Sequence, residues 1–209
     1  MASDAMKVLR TVGVSLLVLA SLAAVAVAVP MKRVVGDEMS WTLRDGDLVW
    51  VVPDRVRKAD VVLVTDPLDP SRRVLRRVIA APGEKVRIDD GGVRVNGKRI
   101  RQLEMGDPPE TGDGPTSTVL KEVIWSKPPA RANKYFPIMS DRKLRFSSDG
   151  VVEVPDGHWY VLADNRDAAL DSRWWGPVPE SAVHGTVRAR WGEADIWRET
   201  GFEIVLPEE

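Results

Sequence analysis

The sequence contains no cysteine. Disulfides, thiolate metal sites and a cysteine nucleophile are thereby excluded, and the redox compartment is left open. Histidine is scarce too. Only His158 and His184 occur, too few for a histidine-rich metal centre, and both read as ordinary polar residues. No metal or cofactor is expected. Neither sign of charge dominates: the formal net charge is -1, so no overall field points to nucleic acid, and none is expected as a partner. The basic residues that do cluster, Arg72-Arg73 and Arg76-Arg77, read as a local solvated face. After residue 30 there is no long hydrophobic run and no sustained 3.6-residue apolar period, so helices are expected to be few.

What the chain does have begins with its N-terminal segment. Thr11 to Val29 carries no charge and is about as long as a helix needs to be to cross a ~30 Å hydrocarbon core. Lys7 and Arg10 precede it and Lys32-Arg33 follow it, so flanking charge gives no clear orientation. A cleavable signal peptide is the alternative, because Ala24-Val25-Ala26 and Ala26-Val27-Ala28 have the small-x-small pattern of a cleavage site. The run exceeds an ordinary signal-peptide core, which favours a retained anchor over residues 1–30. With 209 residues there is room beyond it for one sizeable domain or two small lobes.

Past Pro30 the pattern changes to short β-branched segments closed by turns. Leu48–Val52, Ala59–Val64, Val74–Ala80 and Lys85–Ile88 read as strands, and Val93–Ile100 as a hairpin around Asn96-Gly97. Residues 101–150 shift to a turn-rich composition, with one strand expected from Val119 to Trp125. They read as an inserted lobe with long loops. His158–Leu162 and Val183–Trp191 return to strand, with an aromatic turn at Trp174–Val178 and a short edge at Ile196–Leu206. The expected fold is all-β.

Four stretches, in order, carry a resemblance. The first is Gly36 to Asp47, containing Met39, Thr42, Leu43 and Gly46-Asp47. The second is Lys58-Ala59-Asp60-Val61-Val62, and the third Arg76-Arg77-Val78-Ile79-Ala80-Ala81-Pro82-Gly83-Glu84. The last runs from Val154 to Asp167 and on through Asp171-Ser172-Arg173-Trp174-Trp175-Gly176. Together they resemble the motifs of type I signal peptidases, the Ser/Lys endopeptidases that remove secretory signal peptides. The resemblance implies a signal-peptidase-like β core over 31–100 and 151–209, a β-rich cap inserted at 101–150, and one N-terminal transmembrane helix. It also implies a single-pass place in the cytoplasmic membrane with the C-terminal domain on the outer side.

The family reaction is acyl transfer by a serine whose proton is taken by a desolvated lysine. Carried over residue by residue, the serine position is Glu38, the lysine position Arg76, and the position of a lysine-orienting serine Ala169. Gly36 falls where some members place a serine near the oxyanion hole, Trp41 stands for a proline, and Ala59 and Ala163 each stand for a glycine. Glu38 is no hydroxyl, Arg76 stays protonated, and Ala169 has no hydrogen-bonding side chain. The constellation therefore reads as a dismantled centre, with Glu38 and Arg76 expected to form an ion pair.

Ser40, two residues on, is the alternative nucleophile, with Lys58 and Lys85 bases by residue type alone. Met39, Val78 and Ile79 stand where a substrate groove would lie, with core packing the competing reading for Val78 and Ile79. Asp164, Asn165, Arg166, Asp167, Asp171, Ser172 and Arg173 are read as a structural motif. Trp41, Trp174 and Trp175 are candidates for a bilayer interface. The partners implied are signal peptides or preproteins, an active signal peptidase paralogue, and the lipid bilayer. The function implied is that of a membrane-anchored signal-peptidase-like protein that binds without cutting. The alternatives are an active peptidase using Ser40 and a purely structural exported β module.

Overall fold

The computed structural model describes residues 31–40, 42–89, 92–106, 118–124, 134–140, 150–167 and 169–192. In 103–106, 118–124 and 134–140 it describes the backbone, with Glu122 the one described side chain. The chain divides into Met1–Met31 and Lys32–Glu209, and the account below concerns the second unit. No helix among the described residues is long and apolar enough to cross a membrane. Thr11–Val29, Trp41 and Ile196–Leu206 lie outside those residues.

Among the described residues fourteen strands follow one another: β1 Met31–Arg33, β2 Leu48–Val52, β3 Val61–Asp66, β4 Asp69–Ala80, β5 Lys85–Asp89, β6 Gly92–Val95, β7 Lys98–Arg99, β8 Arg101–Gly106, β9 Thr118–Ile124, β10 Lys134–Ser140, β11 Val152–Glu153, β12 His158–Leu162, β13 Val178–Pro179 and β14 Val183–Trp191. They form a seven-stranded sheet in the order β1-β2-β14-β3-β4-β12-β13, a four-stranded sheet β11-β5-β6-β7, and a three-stranded sheet β10-β9-β8.

Each element follows from its residues. In β2, Val49 and Val51 are buried while Leu48 and Trp50 face outward, the period-two alternation of a strand with one face packed. β3 is Val-Val-Leu-Val with both faces buried, because it lies between β14 and β4 near the middle of the large sheet. β3 and β4 form a hairpin closed at Asp66↔Asp69, where Asp66 Oδ1 accepts the Leu68 N–H at 2.9 Å. β6 and β7 turn at Asn96 (φ 51°) and Gly97 (φ 78°), two consecutive left-handed residues as a tight two-residue hairpin requires.

The core falls into three clusters. Val62, Val64, Val74, Val78, Val161 and Val178 pack on one face of the large sheet. On its other face Val61, Leu63, Val49 and Val51 pack with Val34, Met39 and Leu43 of the first loop. The third joins Ile79, Ala80, Tyr160 and Leu162 to Val86, Ile88 and Val93 of the four-stranded sheet and to Ile100 just after it.

Three expectations are corrected. Residues 101–150 hold β8 and β10 as well as the expected β9. Pro137 and turn-rich flanks hid the strands, which pair in register from Arg101↔Val123 and Lys134↔Ile124. The aromatic turn at Trp174 is instead a one-turn helix, α1 (Ser172–Trp175), because Asp171 caps it by accepting the Arg173 N–H at 3.1 Å. Arg76 and Arg77 are not a solvated face. They are 1% and 6% exposed, since β4 is covered on both sides at this point.

Candidate functional site at Glu38 and Arg76

The loop between β1 and β2 sets the position of residue 38. Gly46 N–H donates to Val34 O at 3.0 Å and Val34 N–H to Asp47 O at 2.7 Å, pinching the loop at its base. Buried Asp47 accepts from Arg44 N–H at 2.9 Å and from Arg190 Nη1 at 3.2 Å, tying the loop to β14. Inside it, Asp45 Oδ1 accepts the Gly36 N–H at 2.8 Å. Ser40 N–H donates to Asp37 O at 2.8 Å and Leu43 N–H to Met39 O at 2.8 Å. Met39 and Leu43, each 2% exposed, anchor the turn in the core.

β4 supplies the partners. Residues 72, 74 and 76 share one face of the strand. From that face Arg76 Nη1 donates to Glu38 Oε2 at 2.8 Å and Arg72 Nη2 to Glu38 Oε1 at 2.7 Å, so one carboxylate bridges two guanidiniums. The Glu38–Arg76 ion pair is therefore present. Arg76 also donates through Nη1 to Leu75 O at 2.6 Å, and through Nε and Nη2 to Leu170 O at 3.0 and 2.8 Å. Its guanidinium lies 5.5 Å from the centroid of the Trp175 ring. Burial pushes the Glu38 carboxyl upward, but the charges and hydrogen bonds of Arg76 and Arg72 outweigh it and hold the group below the ordinary carboxylate range.

The next residue on β4 points the other way. Arg77 donates to Asp164 through Nε (2.7 Å) and Nη2 (2.5 Å), to Ala59 O through Nη1 (2.8 Å), and to Thr42 Oγ1 through Nη2 (2.9 Å). The Thr42 hydroxyl in turn donates to Asp164 Oδ2. Thr42, Ala59, Arg77 and Asp164 belong to the four separate motifs of the sequence, and one buried network joins them.

The residues of the last motif each have a partner. Asn165 holds the first loop directly: its N–H donates to Glu38 O at 3.1 Å and its Nδ2 to Asp37 O at 3.3 Å. Arg166 donates to Glu122 of β9 through Nη2 (2.6 Å) and Nη1 (3.2 Å), and to Ala163 O through Nε (2.8 Å). Asp171 accepts from Arg173 Nε at 2.7 Å and Nη2 at 2.8 Å, and from Ala163 N–H at 3.0 Å. Ser172 Oγ accepts the buried Val161 N–H at 2.9 Å. Asp167 is half-buried beside them.

Ala169 offers Arg76 no side-chain contact of the hydroxyl kind. Its carbonyl accepts from Arg173 Nη2 at 3.3 Å, and it is the next carbonyl, Leu170 O, that orients Arg76. Ser40 is half-buried in the first loop. The two lysines of the right type are held elsewhere: Lys58 donates to Glu84 at 2.8 Å, and Lys85 lies 3.5 Å from Glu153. His184 shares a hydrogen bond with Thr65 Oγ1 at 2.7 Å, and His158 Nδ1 with Asp156 O at 2.9 Å. Among the described residues no lysine or histidine is hydrogen-bonded to the Ser40 hydroxyl. Met39, Val78 and Ile79 are buried at 2%, 0% and 0%, one in each core cluster. Exposed Trp174 and half-buried Trp175 form the second half of α1.

Leu170, Glu122 and Arg190 complete this site and its supports without having been singled out in the sequence, and Arg72, read there only as part of a solvated face, binds Glu38 as well. Arg72 alone had a readable signal, an even spacing from Arg76 along a strand. The others act through a carbonyl or across more than forty residues of chain.

The β scaffold thus fixes a loop carboxylate against a buried guanidinium from β4. The family model for signal peptidase, peptidase S26, matches residues 6–192, and the chain belongs to that family. It is similar to signal peptidase I of Rickettsia typhi, with 32% identity over 152 residues, covering 71% of this chain and 57% of that protein. It is also similar to signal peptidase I of Pseudomonas fluorescens, at 30% over 146 residues, covering 65% and 49%. The chain thus spans about half the length of the curated relatives it matches. Among solved structures, a signal peptidase I from Enterococcus faecalis aligns with a TM-score of 0.37 and 21% identity over 65% of this chain and 98% of that one.

Proposed function

We propose that this chain binds signal-peptide-bearing preproteins without cleaving them, as a membrane-tethered homologue of signal peptidase I. The observation that carries this reading is the state of Arg76. It is buried, permanently charged and hydrogen-bonded to Glu38, Leu75 O and Leu170 O, so the position of the base holds a group that cannot accept a proton. The position of the nucleophile holds a carboxylate engaged by two arginines. Residues 1–30 act as the anchor in this reading, with 31–100 and 151–209 as the core on the outer side of the cytoplasmic membrane and 101–150 as an inserted cap. An active signal peptidase paralogue is the natural recipient of a preprotein held but not cut.

The test is a cleavage and binding assay with purified full-length chain in detergent and a preprotein. Binding without cleavage is expected. Cleavage by the wild type that disappears in Ser40→Ala would overturn the reading in favour of an active enzyme, and absence of both binding and cleavage would leave a structural β module. The double substitution Glu38→Ser, Arg76→Lys is expected to restore measurable cleavage. A lysine in a site only 1% exposed would be desolvated and so driven toward its neutral, basic form.

A further inference from the structure

Among the described residues Glu38 is the only acid hydrogen-bonded to both arginines of the site, and it reaches them from a loop. Its side chain is 22% exposed, Arg72 is 53% exposed and the Arg76 side chain 2%, so the Glu38 carboxylate stands between a buried guanidinium and solvent. Arg76 does not need Glu38 to hold its orientation: Leu75 O and Leu170 O engage Nη1, Nε and Nη2 independently. Arg72 is also near Asp66, but at 3.9 Å, much longer than its 2.7 Å bond to Glu38. Removing the Glu38 side chain would therefore leave two pre-positioned guanidiniums converging on a space shaped by one carboxylate. Such a pair suits a carboxylate from any source, since each of its oxygens takes one charge-assisted N–H.

We infer that Arg72 and Arg76 form a carboxylate-binding site that Glu38 occupies in the free protein and that the C-terminal carboxylate of a peptide takes over. This deepens the proposed binding role and rests on it. Hydrolysis of a peptide bond leaves a new carboxylate at the atom a nucleophile attacked, and positions 38 and 76 are where nucleophile and base belong in the resemblance. The ligand class is thus a peptide ending in a small residue with a free carboxylate, the shape of a signal peptide already cleaved, bound here in exchange for Glu38. The exchange swaps one anion for another between the two guanidiniums, while the displaced Glu38 carboxylate turns to solvent. The depressed titration of Glu38 agrees with both arginines acting on it as cations.

The experiment compares two soluble peptides that differ only at the end, each closing in Ala-Leu-Ala, one a free acid and the other an amide. Binding to the full-length chain in detergent is measured by titration calorimetry. The acid is expected to bind about tenfold more tightly than the amide, the effect of one charge-assisted hydrogen-bonded contact. Glu38→Ala removes the internal competitor and is expected to widen that ratio. Arg72→Gln, a change at a half-exposed residue that leaves the core untouched, is expected to narrow it. Equal binding of acid and amide by the wild type and by Glu38→Ala would overturn the carboxylate site while leaving the binder reading intact. Absence of binding by either peptide, and by a preprotein, would overturn both.

Discussion

At the scale of single residues, Glu38 has a definite pH signature. Its folded-state ionisation lies below its ordinary value, so its pairing contributes stability above about pH 4.5 and that contribution is lost as pH falls through the depressed folded value. Glu38→Gln is expected to cost about 1 kcal/mol at neutral pH, a modest figure because Glu38 and Arg72 are partly solvated. The difference between wild type and Glu38→Gln in urea unfolding should shrink as pH is lowered from 6 to 3. A gap that stays constant would show that the pairing does not drive it. Arg76→Ala should cost more, about 3–5 kcal/mol, because it empties a buried site and strips Glu38 of its buried partner and the Leu75 and Leu170 carbonyls of their donor.

Ala59 poses a different question at the same scale. It has φ 68°, a left-handed conformation costing an L-residue about 1–2 kcal/mol, at a position where the resemblance has glycine. Its methyl is buried in the core cluster shared with Ile79 and Tyr160, which offsets about 0.8 kcal/mol. Ala59→Gly is therefore expected to leave stability within about 1 kcal/mol of wild type, against the loss usual for Ala→Gly in a regular element. Ala59→Val should be clearly destabilising, and thermal melts of the two variants decide the matter.

At the scale of elements, a buried ion pair of Glu122 on β9 with Arg166 joins the three-stranded sheet to the core among the described residues. Burial works against the Arg166 charge, but Glu122, reinforced by Asp164 and Asp171, outweighs it and holds the guanidinium more firmly protonated than usual. Gln102 Nε2 donates to Glu122 Oε1 at 2.8 Å from the neighbouring strand, filling a further acceptor position. Glu122→Ala alone is expected to cost about 3–5 kcal/mol, by stranding a buried guanidinium. Glu122→Ala with Arg166→Met should cost less than the single change. In hydrogen exchange, β8–β10 should lose protection before β3 and β4. Simultaneous loss in all strands of Glu122→Ala would contradict a local joint.

How much of this could be read beforehand differs by element. β2, β5, the Asn96-Gly97 hairpin, β12 and β14 were legible because alternation and turn chemistry are local. β8 and β10 were not, because their register is set by β9 between them and by Glu122 reaching a residue far along the chain. α1 was missed since a single helical turn has no periodicity, only its Asp171 cap. In the site, the Glu38–Arg76 pairing was legible because two substitutions of opposite charge fell on two positions expected to touch. The burial of Arg77 against Asp164 was not, because a run of arginines reads as surface until both faces of its strand are known to be covered.

At the scale of the whole molecule, the four motifs are less a catalytic inventory than a frame. Thr42, Ala59, Arg77 and Asp164 meet in a single network that lies on the opposite face of β4 from Arg76. The side chains at 38, 76 and 169 take no part in that network. Asp164→Ala is expected to lower the melting temperature more than Glu38→Ala does, since it leaves a guanidinium only 6% exposed without its carboxylate.

The grip of Asn165 on the carbonyls of Asp37 and Glu38 has one more consequence. It holds residue 38 by its main chain and is indifferent to the side chain mounted there. Position 38 is in effect a socket. What is plugged into it can change without the chain around it being laid again.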